Sequence, residues 1–492
     1  MSRLIKQKSQ RQEAFTVAKV HYEMVIGLEV HVELNTKTKI FCGCSTKFGA
    51  EPNTQTCPVC MGLPGSLPVL NKKVVDFAIK AGLATNCSIT RRGKQDRKHY
   101  FYPDLAKAYQ VSQFDLPLCQ DGYIEIEEED NNYRIGITRI HIEEDAGKLN
   151  HVDGGSLIDY NRAGVPLIEI VSEPDIRSAA QAKAYLQKLR SIIMYAGISD
   201  CKMNEGSFRS DVNLSIREVG SQTLGTRTEM KNLNSFSFIV KAIESEFKRQ
   251  IEVIESGEEV VQETRRWDAE LGKSFSMRTK EDAHDYKYFP DPDLAPIVVS
   301  EDKIKEIKET IEMLPDERKK LYIDNYGLSA YESDKLVSEK YIADFYEKAS
   351  EKGSPKLVAN LMMSEIFRLL AKEDDIDQIP FSPEKLGILA NRIEEDVISQ
   401  SMAKKIVDKL WSDNVDVDEI IEKDDLRQIT DIKYLTSLIA KAIAENEDIV
   451  LSFKSGKDKA FQALVGIIMR QTRGKASPSL TAKILGELIE EN

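Results

Sequence analysis

Three prolines fall within eight residues at Phe289-Pro-Asp-Pro-Asp-Leu-Ala-Pro296. Proline lacks an amide hydrogen and clashes with the preceding turn, so neither a helix nor a central strand runs through such a segment. It separates two kinds of pattern. Before it, short alternating runs such as MVIGLEVHVEL, YRIGITRIHI and VPLIEIVS recur between Gly, Asn, Asp and Pro and read as strands. Between them, KKVVDFAIKAGLAT and SAAQAKAYLQKLRSIIMYAG place apolar residues three and four apart, the period of a helix. Ser178 is positioned to cap the second helix and Gly197 to stop it. After the proline segment nearly everything reads as amphipathic helix rich in Glu, Lys, Leu and Ile. At 492 residues the chain is long for one core, and about two to four domains are expected. The predicted class is α+β: an N-terminal extension over 1–20, a mixed α/β domain over 21–300, an all-α helical domain over 301–422 and a small all-α tail domain over 423–492.

Composition excludes several classes. Hydrophobic residues at 41% and charged residues at 30% are ordinary for a globular protein. No apolar run approaches the ~20 residues that span a bilayer. The first residues, MSRLIKQKSQRQEAFTVAKV, are basic and polar and lack a secretory apolar stretch, so a frayed extension is expected. A net charge of −13 argues against nonspecific nucleic-acid binding by the whole surface, though not against a local basic face. Seven cysteines without a disulfide framework fit a reducing, cytoplasmic setting.

Four of those cysteines lie in CGCSTKFGAEPNTQTCPVC: Cys42 and Cys44 as C-x-C, then Cys57 and Cys60 as C-x-x-C after twelve residues. Two short chelating loops brought together supply four thiolates for one tetrahedral Zn²⁺. Four cysteines leave no open position, as in structural rather than catalytic zinc sites. The other reading is unligated or redox-active thiols. Cys87, Cys119 and Cys201 stand alone and read as small buried side chains.

The strand over 25–34 alternates, with Leu28, Val30, Val32 and Leu34 on one face and Glu29, His31 and Glu33 on the other. Taken alone, this is equally a solvated sheet face. Two further segments add weight. RIHIEEDAGK runs from an alternating strand into Glu143, Glu144 and Asp145, and VPLIEIV places Glu169 in an otherwise apolar run. A carboxylate there is costly to bury unless paired or bound to a cation. Hard oxygen ligands with one imidazole suit Mg²⁺ holding substrate phosphates. No Walker-A loop and no GxGxxG opening a helix is present, so a nucleotide site is of another type. Candidate cations for it are Arg97, Lys98, Arg209, Lys231, Arg265 and Arg266, each of which also reads as an ordinary surface charge. Lys454, Lys457, Lys459, Arg470, Arg473 and Lys475 cluster near the C-terminus, either a solvated helix face or a phosphate-binding one.

The strings VIGLEVHVEL, DRKHYFYPDLAKAYQVSQFD, RIHIEEDAGK, DYNRAGVPLIEIVSEPDIRS, EMKNLNSF, QETRRWD and DYKYFPDPDL resemble, in order, the signature segments of the B subunit of tRNA-dependent glutamyl/aspartyl amidotransferases, the GatB family. The final FKSGKDKAFQALVGIIMRQTRGKASP is similar to that family's YqeY-like tail. The resemblance implies a cradle domain that takes ATP, Mg²⁺ and the acceptor end of a misacylated tRNA, followed by helical and tail domains that contact the tRNA body. It implies an amidase A subunit that supplies ammonia from glutamine and a small C subunit. By matching segments it implies His31, Glu144 and Glu169 as Mg²⁺ ligands, with Glu29 and Glu143 beside them. It places Lys98, Tyr100, Arg209 and Asp211 along the reaction chamber or ammonia route, and it supports zinc at the cysteines. The chain departs from the pattern at His99, Asn204 and Ser210, where the family more often carries Asn, an acidic residue and Cys.

Overall fold

The computed structural model describes residues 21–129, 131–279, 286–372, 378–413, 415–472 and 474–491. The expected extension over 1–20 and Arg473 lie outside the described residues. The chain forms two compact units, Met1–Leu314 and Pro315–Asn492.

In the first unit, nine strands among the described residues make one sheet. They are β1 (Tyr22–Glu33), β2 (Ser88–Ile89), β3 (Cys119–Glu128), β4 (Asn131–Glu144), β5 (Pro166–Ser172), β6 (Phe208–Glu218), β7 (Thr228–Lys231), β8 (Glu263–Asp268) and β9 (Lys273–Thr279). Their order is β9-β8-β7-β6-β1-β5-β4-β3-β2. Helices α1 (Lys72–Ala84), α2 (Ala179–Tyr195) and α3 (Phe236–Glu255) pack against the sheet. All neighbouring strands are antiparallel except β7 and β8. That parallel pair needs a crossover, which α3 provides.

The alternation read in β1 decides what the sheet buries. Ile26, Leu28, Val30 and Val32 join Ile140, Ile142, Ile168 and Ile170 in one core with Leu186, Leu189, Ile239 and Ile243 from α2 and α3. The intervening charged positions face away from it. Each helix starts where a side chain satisfies a free amide: Asn71 accepts from Lys73 N, Ser178 from Gln181 N and Ser235 from Phe238 N. Gly197 ends the turn after α2 with φ of 66°, a conformation glycine adopts without strain.

The proline segment breaks regular structure but does not end the unit. Phe289–Pro290 pairs with Asp96–His99, and Ile297–Val298 with Arg92–Gly93. The next helix, α4 (Glu301–Glu309), buries Ile307 in the sheet's core and joins Lys303 to Asp76 of α1 at 3.1 Å. The division therefore falls after Leu314, later than the boundary expected at 300. In the second unit the described elements are all helical. One core gathers residues from Tyr322 to Leu426, another from Leu435 to Ile489. No helix among the described residues is long and apolar enough to cross a membrane.

Gly82 shows how closely α1 meets β3. A Cβ there would stand 2.5 Å from Cys119 Sγ, whereas one on Gly466, in the helix Asp458–Gln471, would meet nothing within 4 Å. Alanine normally stabilises a helix over glycine by about 1 kcal/mol. We expect Gly466→Ala to raise stability by up to that amount and Gly82→Ala to lower it by about 1–3 kcal/mol through overpacking. Urea unfolding followed by circular dichroism measures both. Equal gains at the two positions would show that α1 does not lie against β3 as described.

Candidate active site

Strand register sets the side chains of the polar face in rows. His31 on β1 stands opposite Glu169 on β5 and Arg209 on β6, and Glu169 stands opposite His141 on β4. One step along, Glu29 stands opposite Asp211. The side chains converge. His31 Nε2 lies 3.5 Å from Glu143 Oε1 and 3.7 Å from Glu169 Oε2. His141 Nε2 lies 3.2 Å from Glu169 Oε2 and 3.9 Å from Glu143 Oε2. One donor atom from each of His31, Glu143 and Glu169 falls within 4.8 Å of the others, and so do those of Glu29, Asp211 and Glu229. A cavity of about 1140 Å³ opens over this face, lined by His31, Glu33, Arg209, Asp211 and Lys231.

Two carboxylates so close cannot both keep their charge cheaply. Burial, and then Glu169, push Glu143 up to about 8. Burial also acts against ionised Glu169, but the His141 ring overcomes it and holds that carboxyl well below the usual range. Burial lowers His31 and so favours its neutral, metal-ligating form. Burial raises Glu29, with Glu169 adding to the shift. Around these groups stand cations. Arg209 Nη2 reaches Asp145 Oδ2 at 2.8 Å, and Lys231 pairs with Asp211 and with Glu229 at 3.0 Å. Lys98 Nζ sits 4.9 Å from the Tyr286 ring and 6.0 Å from that of Tyr100, within the field of Glu143. Arg209 Nε is buried with no hydrogen-bond partner among the described residues, while the rest of its side chain is partly exposed and lines the cavity.

Several expected residues fall elsewhere. Glu144 is not with His31 and Glu169. A strand turns neighbouring side chains to opposite faces, so Glu143 points to the histidines, whereas Glu144 accepts from Lys107 Nζ and, at 2.8 Å, from Val111 N. Arg97 is held by Asp291 and Asp293, both at 2.8 Å. Arg265 binds Glu263, Ser274 and, at 3.5 Å, Glu246 of α3, so it too serves internal acceptors. Arg266 is aligned with Lys231 across β7 and β8 and is exposed. His141 was missed, although the Arg139-His141-Glu143 alternation signals it. Ser210, at a departure from the family pattern, is buried with its hydroxyl unpartnered among the described residues.

The four cysteines do come together. One sulfur from each of Cys42, Cys44, Cys57 and Cys60 lies within 4.8 Å of the others, a group able to bind a metal. Cys57 N donates to Cys60 Sγ at 3.1 Å, and Cys57 and Cys60 sulfurs are 3.9 Å apart. The Cys42 thiol, more than the burial that opposes it, draws Cys60 down to about 4, and burial takes Cys44 up to about 11. The C-terminal cations are less compact than their spacing in sequence. Lys454, Lys457 and Lys459 are exposed at one end of the helix Asp458–Gln471, and Arg470 is exposed at the other, about 16 Å along the axis. Lys475 is paired with Asp425.

Residues 24–305 match the family model described as the GatB/GatE catalytic domain. The carboxylates and imidazoles around the cavity and the four clustered cysteines all lie in that stretch, which defines the class. Residues 344–489 match a second family model, described as the GatB domain. The chain is 56% identical over 473 residues to the B subunit of the aspartyl/glutamyl-tRNA(Asn/Gln) amidotransferase of Caldanaerobacter subterraneus, covering 96% of this chain and all of the relative. It is 54% identical over 479 residues to the same-named protein of Caldicellulosiruptor bescii, again covering 96% of this chain and all of the relative. With that of Geotalea daltonii it shares 51% over 473 residues, 95% of this chain and 99% of the relative. The chain belongs to the GatB family.

The opposed facings of Glu143 and Glu144 predict opposed behaviour. Glu144→Gln leaves the part-buried Lys107 ammonium without its counter-charge and should cost about 3 kcal/mol. Glu143→Gln replaces a carboxyl that burial already keeps protonated near neutrality, and should change stability by less than about 1 kcal/mol. Thermal denaturation at pH 7 measures both. A larger loss in the Glu143 variant would contradict the assigned faces.

Proposed function

We propose that this chain activates the side-chain carboxylate of Glu-tRNA(Gln) or Asp-tRNA(Asn) by ATP-dependent phosphorylation, releasing ADP, and that ammonia then attacks the carbonyl of the acyl phosphate, forming the amide and expelling phosphate. The observation that carries this reading is the convergence of His31, Glu143 and Glu169, with His141 behind them, beneath a cavity flanked by cations. A carboxylate is a poor acyl donor because oxide leaves badly, and phosphate leaves well. Bringing a triphosphate to a carboxylate gathers several negative charges, and the catalyst must neutralise and align them.

The residues fit a divalent cation. His31 is held neutral, and its 3.5 and 3.7 Å separations from Glu143 and Glu169 need only a small closure to reach the ~3 Å between adjacent ligands of an octahedral Mg²⁺. Such an ion, held by His31, Glu143 and Glu169, supplies charge neutralisation and in-line alignment of phosphate oxygens. Arg209 and Lys231, which line the cavity, bind the phosphates and steady the charge that builds on the transferring group. Lys98 and Tyr100 border the carboxylates where neutral ammonia must arrive. Asp211 and Glu229 orient Lys231, and Glu29 lies within its field. The amide nitrogen comes from a partner amidase subunit, with a small third subunit joining the two, in the cytoplasm. The exposed Lys454, Lys457, Lys459 and Arg470 bind phosphates of the tRNA body.

Zinc at the four cysteines completes the reading. Thiolates at ~2.3 Å from a tetrahedral ion lie about 3.8 Å apart, close to the 3.9 Å between Cys57 and Cys60. With four protein ligands the site is closed and structural. Metal analysis should find about one zinc per chain in wild type and none in Cys60→Ser, with a lowered melting temperature. Metal-free wild type of unchanged stability would exclude it.

Glu169→Gln and Glu143→Gln should each lower amide formation by about 100-fold or more. They should also abolish ADP release that depends on charged tRNA, with tRNA affinity unchanged. The assay uses the assembled subunits with each misacylated tRNA. Full activity in both variants would leave a noncatalytic tRNA-binding platform as the better account.

A further inference from the structure

The cysteine knuckle forms part of the wall of the reaction cavity. Thr46 to Ala50, between the two cysteine pairs, line the same 1140 Å³ space as His31 and Arg209. This loop is unusually well fastened. Asn161 Nδ2 donates to Glu51 O at 2.7 Å, and its Oδ1 accepts from Gln55 N at 2.8 Å. Asn53 N donates to Asp159 Oδ1 at 3.0 Å, while Asn53 Oδ1 accepts from Tyr160 N at 2.8 Å. Gln55 Nε2 donates to Lys47 O at 3.1 Å, and Thr46 Oγ1 to Thr36 O. Ordering such a loop costs conformational entropy. What the order presents is an apolar ring that packs on little: Phe48 is 73% exposed and faces the cavity beside exposed Lys47. Exposed Lys148 lines the same cavity, and neither lysine is ion-paired among the described residues.

An exposed aromatic with flanking unpaired cations is the chemistry that holds unpaired nucleotides: the ring stacks on a base and the ammonium groups take the backbone phosphates. We propose that Phe48, Lys47 and Lys148 seat the single-stranded 3′ end of the substrate tRNA, with Phe48 stacked on one of its bases. This rests on the function proposed above, because the aminoacyl group must reach the carboxylates while the nucleotides carrying it trail through the cavity. An ATP base is the competing occupant of the ring. The knuckle thereby becomes a substrate-binding element whose shape the cysteines fix.

The test is direct binding by the assembled subunits of tRNA with and without its unpaired 3′ nucleotides. Phe48→Ala should weaken binding of intact tRNA about tenfold and leave binding of truncated tRNA unchanged, and Phe48→Trp should restore it. Lys47→Ala/Lys148→Ala should flatten the salt dependence of intact tRNA by about 0.7 in log–log slope per cation removed. In amidation, Phe48→Ala should raise KM for aminoacyl-tRNA and not for ATP. Metal content equal to wild type shows that the knuckle is intact in each variant. Equal weakening of intact and truncated tRNA, no weakening of either, or a rise in KM for ATP alone would overturn the proposal. The binding comparison needs no turnover, so an assembly that binds as expected yet forms no amide would sink the proposed function and not this seat.

Discussion

The hydrogen-bonded pairing of β1 between β5 and β6 fixes which side chains meet. Its register is pinned by burial. Ile26, Leu28, Val30 and Val32 each lose nearly all contact with water, worth about 1.5–3 kcal/mol apiece. A slip by one residue would turn these four toward the cavity and press Glu29, His31 and Glu33 against the core. The apolar half of the alternation thus carries the cost of assembling the charged half. Because β5 and β6 both pair with β1, His31 acquires Glu169 on one side and Arg209 on the other without any loop having to position them. A constellation mounted on paired strands is held more tightly than one mounted on loops.

The charges so gathered are poised rather than merely neutral. Glu143 keeps its proton near neutrality, while Glu169, against the histidines, does not. The cavity's polar face therefore holds one proton where a divalent ion would hold two charges, and binding such an ion exchanges the one for the other. The surrounding cations already have carboxylate partners: Arg209 has Asp145, and Lys231 has Asp211 and Glu229. A phosphate entering there shares charge with these pairs instead of meeting a bare ammonium. This limits the strength of ground-state binding and favours contacts that sharpen only as charge develops.

Much of this was legible from residues alone, and the misses have a common cause. The strands, α1 and α2, the Ser178 cap and the Gly197 stop follow from period and local hydrogen bonding, which the sequence carries directly. So does the cysteine group, because C-x-C and C-x-x-C each restrict the chain locally. Glu144, expected beside His31 and Glu169, faces Lys107 while Glu143 faces the histidines; adjacent carboxylates look alike until the strand's facing is known. The alternation through Ile140, His141 and Ile142 would have settled it, and would have supplied His141 as well. Arg97 looked available because its acceptor Asp291 comes from a distant segment, and Arg265 because its hold on Glu263, Ser274 and Glu246 depends on how the strands and α3 come together. The C-terminal basic cluster is tight in sequence but split along a helix, since eleven residues are short in number and long in space. In each case the missing information was tertiary: which face, which partner, which end.

Fourfold closure of cysteines ties Cys42 to Cys60 and constrains a long intervening loop that has little apolar content to fold around. That loop would otherwise have to be ordered by hydrogen bonds alone, each worth only about 1 kcal/mol net. A metal ion held by the four sulfurs, which lie close enough to share one, would remove most of the freedom the loop must lose, leaving Asn53 and Asn161 to select among the few shapes that remain. The strands fix the cavity's floor and the knuckle fixes its wall. The floor is set by burial of apolar surface and the wall by hydrogen bonds around the cysteine group, so weakening the core and weakening the knuckle should disturb different parts of the same chamber.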